Sequence, residues 1–198
     1  MYKRQDYVFH LAAKNSLIDC ENNPIETHDI NVNGTKNIFN ISINKGIKKV
    51  IYAESSAVYE GVEALPSVET TTYPKSIYAK SKMETNAIAQ QLFISKGLFA
   101  TGLRYFNVYG PHQDYRRTIP PVFSAFIIKM LQGERPTIYG DGSKKRDFVY
   151  VDDVNDFHLM CMKNKLTDNN IYNIGSGKNY SIKSIYERIK SILNSDIK

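Results

Sequence analysis

The chain has 198 residues, of which 42% are apolar and 23% are charged, and its formal net charge is +6. This length and apolar fraction are enough to bury a hydrophobic core and indicate one domain or slightly more. The sequence has no basic run longer than three residues, no signal peptide and no apolar run near the roughly 18 residues that span a bilayer, so neither nucleic acid nor a membrane is expected as a partner.

The first half of the chain alternates between apolar runs and helical patterns. Gly46 and Gly97 stand where two of the helical patterns stop, as expected of the glycines that end helices. The alternation predicts a parallel α/β sheet, with ligand residues in the loops at the carboxyl ends of its strands. The predicted elements are strands over 6–13, 48–53 and 98–105 and helices over 24–45 and 77–96.

After Phe106 the pattern changes to a long polar loop followed by shorter elements. The apolar runs are brief, and their order no longer alternates regularly between strand and helix. The predicted elements are a helix over 122–131, strands over 136–139 and 146–151, a helix over 154–163, a strand over 171–175 and a helix from Ser181.

Tyr78 and Lys82 are four residues apart within a predicted helix, so their side chains leave the same helix face. An ammonium group near a phenol favours the phenolate, which can act as a general base near neutral pH. Ser55 follows an apolar strand, and its hydroxyl is placed to hydrogen-bond the substrate oxygen that Tyr78 deprotonates. Tyr186 and Lys190 have the same spacing and are interpreted as a solvated helix face, so the spacing alone does not identify a site.

Other polar residues favour modest roles. His10 has no visible partner for catalysis and is interpreted as a hydrogen-bonded structural histidine. Arg146 lies just ahead of a strand, where its planar guanidinium suits a diphosphate; the alternative is a surface ion pair with a nearby aspartate. Cys20 and Cys161 lack the spacing of a metal or redox motif, so no metal site is predicted and a cytoplasmic location is expected.

Seven ordered motifs resemble one family. The chain is similar to the extended short-chain dehydrogenases/reductases, in particular the NAD-dependent nucleotide-sugar epimerases and dehydratases. It is closest to the UDP-glucose and UDP-N-acetylglucosamine 4-epimerases. The motifs are HLAA at 10–13, NVNGT at 31–35, SSAVY at 55–59, PKSIYAKSK at 74–82, LRYFNVYGPHQ at 103–113, YGDGSKKRDFVYVDD at 139–153 and YNIGSG at 172–177.

The resemblance implies a partial doubly wound, Rossmann-like parallel sheet that lacks its first strands. Residues 1–110 would be the C-terminal part of the NAD-binding domain. Residues 111–198 would form an incomplete substrate-binding region, with segments around 146–165 returning to the NAD-binding domain. The strand at 7–12 would then be an open edge, which predicts a homodimer or a companion fragment that completes the sheet.

The resemblance also implies an NAD-dependent 4-epimerase acting on a UDP-sugar. NAD would take hydride from C4 and return it to the other face, while Tyr78 takes the hydroxyl proton. Lys82 would lower the pKa of Tyr78 and bind the cofactor ribose. The implied catalytic residues are Ser55, Tyr78 and Lys82; the cofactor residues are Ala12, Ala13, Asn31, Tyr78, Lys82 and Phe106; the substrate residues are Ser55, Ser56, Asn107, Tyr139 and Arg146.

The sequence departs from the family pattern in three ways. Two motifs of the family are missing from the sequence. The Gly-rich phosphate loop would precede the first predicted strand, and a late Arg-containing motif would follow the last residues. Glu54 and Glu60 stand where the family has Ser and Gly. The expectation is a truncated epimerase that is either impaired or inactive alone, or active in a completed assembly. A non-catalytic or partner-dependent binding chain, and a nucleotide-sugar reductase of the same fold, stay open as alternatives. Ser56 and Ala57 replace the acidic residue of family dehydratases, which disfavours dehydration.

Overall fold

The computed structural model describes residues 5–117, 119–194 and 196. The chain divides into two compact units. The first comprises the chain up to Phe106 together with Asn155–Ile174, and the second comprises Asn107–Val154 together with the chain from Gly175 onward. No helix in the described ranges combines the length and apolar character needed to cross a membrane.

Seven strands and seven α-helices are described. The strands are β1 (Tyr7–His10), β2 (Lys49–Ser55), β3 (Ala100–Tyr105), β4 (Asn107–Tyr109), β5 (Lys145–Tyr150), β6 (Ile171–Ile174) and β7 (Asn179–Ser181). The helices are α1 (Leu17–Asn22), α2 (Pro24–His28), α3 (Gly34–Asn44), α4 (Ile77–Lys96), α5 (Val122–Leu131), α6 (Val151–Lys163) and α7 (Ile182–Ile192).

The first unit contains a four-stranded parallel sheet in the order β1-β2-β3-β6. Within the described residues β1 pairs with β2 alone, so it is an edge strand, as predicted. It ends at His10, earlier than the predicted end at 13, and beyond it the backbone of Lys14 bonds the Asn31 side chain. The sheet therefore presents the carboxyl ends of β1, β2 and β3 side by side.

Helices α3 and α4 pack on this sheet through an apolar core. Serine at position 76 caps the start of α4, and Gly97 ends it with a φ of 68°, a left-handed conformation that favours glycine. The predicted helix over 24–45 is divided into α2, a π-helical segment at Asp29–Asn33, and α3. The core residues are Phe39, Val50, Tyr52, Ala89, Leu92, Leu98 and Ala100.

The second unit contains a three-stranded sheet in the order β4-β5-β7, with α5 and α7 on its core. The interpretation of Tyr186 as a solvated residue is wrong. Its ring is 8% exposed and packs edge-on against Phe126 at 5.9 Å, because α7 turns this face to the core. The predicted strand over 136–139 is also absent from the described structure: Ile138 packs against the same core without pairing in a sheet.

Candidate active site

Helix α4 and strand β2 bring together the three predicted catalytic residues. Tyr78 lies in the first turn of α4, and the Lys82 Nζ lies 5.8 Å from the centroid of its ring. The Lys82 ammonium donates to the carbonyl of Ala53 at 2.8 Å, which fixes it against β2. A hydrogen-bonding interaction with Ser55, the last residue of β2, lowers the pKa of the Tyr78 phenol. The arrangement joins a phenol, an ammonium and a hydroxyl.

The Ser55 hydroxyl is oriented by its own backbone neighbour. Its oxygen accepts a hydrogen bond from the Ala57 N–H at 3.2 Å, so its hydrogen is available for the Tyr78 oxygen. Burial raises the pKa of Tyr78 above its ordinary value, the Ser55 hydrogen bond opposes this, and the charge of Glu54 adds to the rise. The hydroxyl of Ser55 thus favours the phenolate that burial disfavours. The expected lowering of this pKa by Lys82 is not borne out, because burial dominates and the pKa of Tyr78 is raised.

Lys82 is 5% exposed yet retains donors for a ligand. An ammonium has three N–H groups, and among the described residues one of them is bonded, to Ala53. Burial lowers the pKa of Lys82, and the negative charge of Glu54 opposes this. A ligand with adjacent hydroxyl groups matches the remaining donors.

Asn31 fixes the segment that follows β1. Its Oδ1 accepts from the Lys14 N–H at 2.7 Å, and its Nδ2 donates to the Lys14 carbonyl at 2.9 Å and to Ser81 Oγ at 3.1 Å. Ser81 lies in α4 between Tyr78 and Lys82, so Asn31 ties the end of β1 to the helix that carries them. The predicted cofactor residues Ala12 and Ala13 lie in this tied segment and are exposed and half-buried, respectively.

His10 is a structural histidine, as the sequence indicates. Its Nε2 lies 2.8 Å from Thr35 Oγ1, and that hydroxyl donates its hydrogen to the Asn31 carbonyl at 2.6 Å. Nε2 is therefore the donor to Thr35. Burial, and then the charge of Lys82, lower the pKa of His10, which favours the neutral ring.

Glu54 and Arg104 form a buried pair that the sequence analysis did not find. They are direct partners across β2 and β3, and the Arg104 Nε lies 3.7 Å from Glu54 Oε2. Burial raises the pKa of Glu54 to about 7, against the opposing charges of Arg104 and Lys82. The signal in the sequence was an acidic and a basic residue in two strands that are otherwise largely apolar. That these two residues face each other follows only from the register between the strands.

Arg104 also organises the residues around it. Its Nη1 donates to Tyr59 Oη at 2.9 Å and to the Glu69 carbonyl at 2.8 Å. Tyr59 Oη donates to Asn173 Oδ1 at 2.7 Å. The loop after β2 is thereby fixed to β3 and β6.

Glu60 serves the start of α4. Its carboxylate accepts from the N–H of Lys75 and from both the N–H and the hydroxyl of Ser76. A carboxylate at the amino end of a helix is favoured by the helix dipole. Glu60, one of the two glutamates that depart from the family pattern, thus supports the helix of Tyr78 and Lys82.

Phe106 and Ser56 lie in the first unit with Ser55. The Phe106 ring lies 6.3 Å from the ring of Tyr59, and its N–H donates to the carbonyl of Ile174. Ser56 begins the 3-10 helix Ser56–Tyr59 and is half-buried.

The other predicted substrate residues lie in the second unit. Asn107 Nδ2 donates to the Asp147 carbonyl at 2.8 Å, and Tyr139 is 83% exposed. The exposed Arg146 donates to the carbonyl of Lys145, and within the described residues it forms no ion pair. The Asp147 carboxylate instead accepts from the Ser176 and Gly177 segment.

A parallel sheet flanked by a helix with a Tyr-x-x-x-Lys pair, and a serine at the end of the adjacent strand, defines the short-chain dehydrogenase class. Residues 1–175 match the NAD dependent epimerase/dehydratase family, and the chain belongs to this family. The predicted Rossmann-like α/β fold class is confirmed by the solved structures that it resembles.

Three relatives show the extent of the similarity. A putative UDP-glucose 4-epimerase of Methanocaldococcus jannaschii is 38% identical over 191 residues, which are 96% of this chain and 61% of the relative. A UDP-N-acetylglucosamine 4-epimerase of Methanobrevibacter ruminantium M1, solved with UDP-N-acetylmuramic acid, is 36% identical with a TM-score of 0.94, over 98% of this chain and 62% of that one. A UDP-glucose 4-epimerase of Thermotoga maritima, solved with UDP-glucose, is 35% identical with a TM-score of 0.92 and the same coverage.

The chain is shorter than these relatives. It spans 61% to 62% of their lengths, although they cover nearly all of it. The activity, substrates and partners of the whole relatives are therefore matters of proposal for this chain.

Proposed function

We propose that the chain carries the proton-transfer centre of an NAD-dependent nucleotide-sugar 4-epimerase. The observation that carries the proposal is the arrangement of Ser55, Tyr78 and Lys82 on β2 and α4. The similarity to two UDP-sugar 4-epimerases of solved structure supports the same reaction class.

In this proposal Tyr78 exchanges a proton with the C4 hydroxyl of the sugar. Without a sugar the Ser55 hydrogen serves Tyr78 and opposes the effect of burial on its pKa; when the sugar is bound, Ser55 would turn this hydrogen to the same C4 oxygen. The Lys82 ammonium stabilises negative charge near the phenol. NAD, when bound, supplies the hydride acceptor and the hydride donor.

The residues of the first unit fit a dinucleotide. Lys82 has N–H donors beyond its bond to Ala53, which suit ribose hydroxyls. Asn31 holds the segment that contains Ala12 and Ala13. The small side chains of these two alanines allow the close approach of a ligand. Phe106 offers an apolar ring at the end of β3. We propose these residues as the NAD contacts of this chain.

A UDP-sugar is the proposed substrate. Ser55 and Ser56 would contact the sugar, and Asn107, Tyr139 and Arg146 are proposed for the remainder of the nucleotide sugar. The exposed guanidinium of Arg146, free of an ion pair in the described residues, supports a contact with a diphosphate.

Cys20 and Cys161 are both free thiols, which supports the expected cytoplasmic location.

NAD binding and epimerisation test the proposal directly. The expected result, for the chain alone or in a completed assembly, is NAD binding in isothermal calorimetry and conversion of UDP-glucose to UDP-galactose without net consumption of nicotinamide cofactor. Tyr78→Phe should retain NAD binding and lose conversion, because only the proton carrier is removed. Stoichiometric oxidation of added NADPH would instead identify the reductase alternative.

Absence of NAD binding would overturn the proposal for the chain alone and favour the non-catalytic or partner-dependent alternative. The edge strand β1 supports that dependence, since a further strand from a longer form, a second copy or a companion chain can pair there. Repeating calorimetry with a segment that supplies the Gly-rich loop of the family would then decide whether completion restores binding.

A further inference from the structure

We propose that Glu54 is a positioning residue of this reaction centre: its buried carboxyl group releases a proton to solvent and takes one up again, so that it passes between a neutral state bonded to Thr85 and an ionised state paired with Arg104, and its charge acts on Tyr78 and Lys82. The inference rests on the proposed function for its consequence in catalysis. Its physical content concerns the side chains of the first unit alone.

The site of Glu54 is built into the sheet. Its side chain is fully buried, and Gly102 of β3, the partner of Tyr52, lies close to it: an added Cβ there would lie 2.9 Å from the Tyr52 hydroxyl oxygen and 3.1 Å from the Glu54 Cγ. Glycine at this position makes room for both side chains. Glu54 lies between Ala53, which holds Lys82, and Ser55, which lowers the pKa of Tyr78.

The partners of Glu54 distinguish two states. Thr85 Oγ1 lies 2.7 Å from the Lys82 carbonyl and 3.4 Å from Glu54 Oε1. A hydroxyl has one hydrogen, and the shorter contact to a carbonyl, which can only accept, takes it. Thr85 therefore serves either state of Glu54: a protonated carboxyl group can donate to the Thr85 oxygen, whereas an ionised one competes with the Lys82 carbonyl for the Thr85 hydrogen, an interaction that lowers the pKa of Glu54.

The ionised state has a different partner. Glu54 Oε2 and Arg104 Nε are both buried without a hydrogen bond, and they face each other at 3.7 Å. A small side-chain movement closes this gap when the carboxylate is negative, since a charged donor and acceptor attract strongly in a buried site. Thr85 can bond either state, whereas the bond to Arg104 belongs to the ionised state.

The groups that face Glu54 come from three elements. Tyr52 lies on β2, Arg104 on β3, and Tyr78, Lys82 and Thr85 on α4. The pKa of Glu54, raised by burial to about 7, supports exchange near neutral pH. Ionised Glu54 raises the pKa of both Tyr78 and Lys82, so it holds the ammonium charged and resists the phenolate.

The first test is a carboxyl titration by NMR, with glutamate labelled with ¹³C at its carboxyl group. We expect one resonance to titrate about two pH units above the other glutamates. This resonance should be absent from Glu54→Gln. In Glu54→Asp with labelled aspartate, a carboxyl resonance with a raised pKa should appear in its place. Glu84→Gln is the matched control, because Glu84 is an exposed acid on α4 that pairs with His28. It should leave the raised resonance in place. Wild-type protein in which every glutamate titrates below about pH 5 would overturn the proposal.

The second test follows Tyr78 with ¹³Cζ-tyrosine, assigned by its loss in Tyr78→Phe. Glu54→Gln should lower the pKa of Tyr78 by about half a unit or more, as removal of a nearby negative charge requires, and Glu84→Gln should not. An unchanged Tyr78 titration in a folded Glu54→Gln would leave Glu54 a merely structural acid and overturn the proposal.

Neither test needs cofactor or substrate. Failure to bind NAD or to epimerise would therefore reject the proposed function and leave the Glu54 measurements intact. If Glu54→Gln does not fold, the wild-type titration, assigned through Glu54→Asp, still decides whether a proton is exchanged near neutral pH.

Discussion

At the residue scale, the chemistry of the candidate site depends on where each side-chain hydrogen points, and neighbouring backbone groups decide this. The Ala57 N–H occupies the Ser55 oxygen and leaves the serine hydrogen for Tyr78. The Asn31 carbonyl takes the Thr35 hydrogen and makes His10 a donor. Each side chain is thus committed to one role by a backbone group.

Removal of the Ser55 hydroxyl tests its role. Ser55→Ala should raise the pKa of Tyr78 further, because it deletes the hydrogen bond that opposes burial. Ser55→Thr, which retains a hydroxyl, should restore the wild-type titration. In a protein that epimerises, Ser55→Ala should lower kcat by about 10- to 100-fold. A Tyr78 titration identical in all three proteins would contradict this account.

The raised pKa of Glu54 makes stability depend on pH. The folded protein keeps this proton up to about pH 7, whereas the unfolded chain releases it near 4.5, so the free energy of unfolding falls as the pH rises through this window. Urea denaturation should show that the free energy of unfolding of wild type falls between about pH 5 and about pH 8. This fall should exceed the corresponding fall for Glu54→Gln by on the order of 1–3 kcal/mol. Glu84→Gln should follow wild type, and parallel curves for all three would refute the prediction.

At the element scale, short polar contacts decide where the elements end. The bounds of α4 are those predicted, because Ser76 and Gly97 are strong end signals that act locally. Helix α1 was not predicted, since it has six residues and no clear period. The Glu54–Arg104 pair could not be predicted, since it depends on a register between strands 50 residues apart in sequence.

Lys49 joins two elements of the first unit. Its ammonium is buried, donates to the carbonyls of Cys161 and Asn164 and to Thr167 Oγ1, and pairs with Asp168 at 2.7 Å. It therefore satisfies carbonyls at the end of α6 from within β2.

Lys49→Met should lower the free energy of unfolding by about 2–4 kcal/mol, because it leaves buried acceptors unpaired. The adjacent Lys48 is the control: its ammonium is mostly exposed and pairs with Asp6, so Lys48→Met should cost less than about 1 kcal/mol. Chemical denaturation measures both. Equal losses for the two variants would show that the Lys49 contacts contribute no more than a surface pair.

At the scale of the whole molecule, the sheet of the first unit has an exposed margin at β1. Tyr7 and Phe9 on this strand are 36% and 41% exposed, and within the described structure β1 has β2 as its sole neighbour. An unpaired apolar edge strand is a template for another strand.

We expect the chain to self-associate as its concentration rises, as measured by sedimentation velocity. Phe9→Lys should reduce the association several-fold, since charge on an edge strand opposes pairing. Phe99→Lys, at an exposed phenylalanine outside the β strands, should leave it unchanged. A monodisperse wild-type monomer would contradict the expectation.

The buried guanidinium of Arg104 affects the local opening of the residues around it. It holds Tyr59 and Glu69, while the Glu69 carboxylate accepts the Asn173 N–H and the Ser67 carbonyl accepts from the Asn173 side chain. Tyr59, Ser67 and Glu69 therefore belong to one hydrogen-bond network around a buried cation, and we expect them to open together. Amide hydrogen exchange of Asn173 and of the bonded loop residues should share a single opening free energy, as in a small foldon within the sheet.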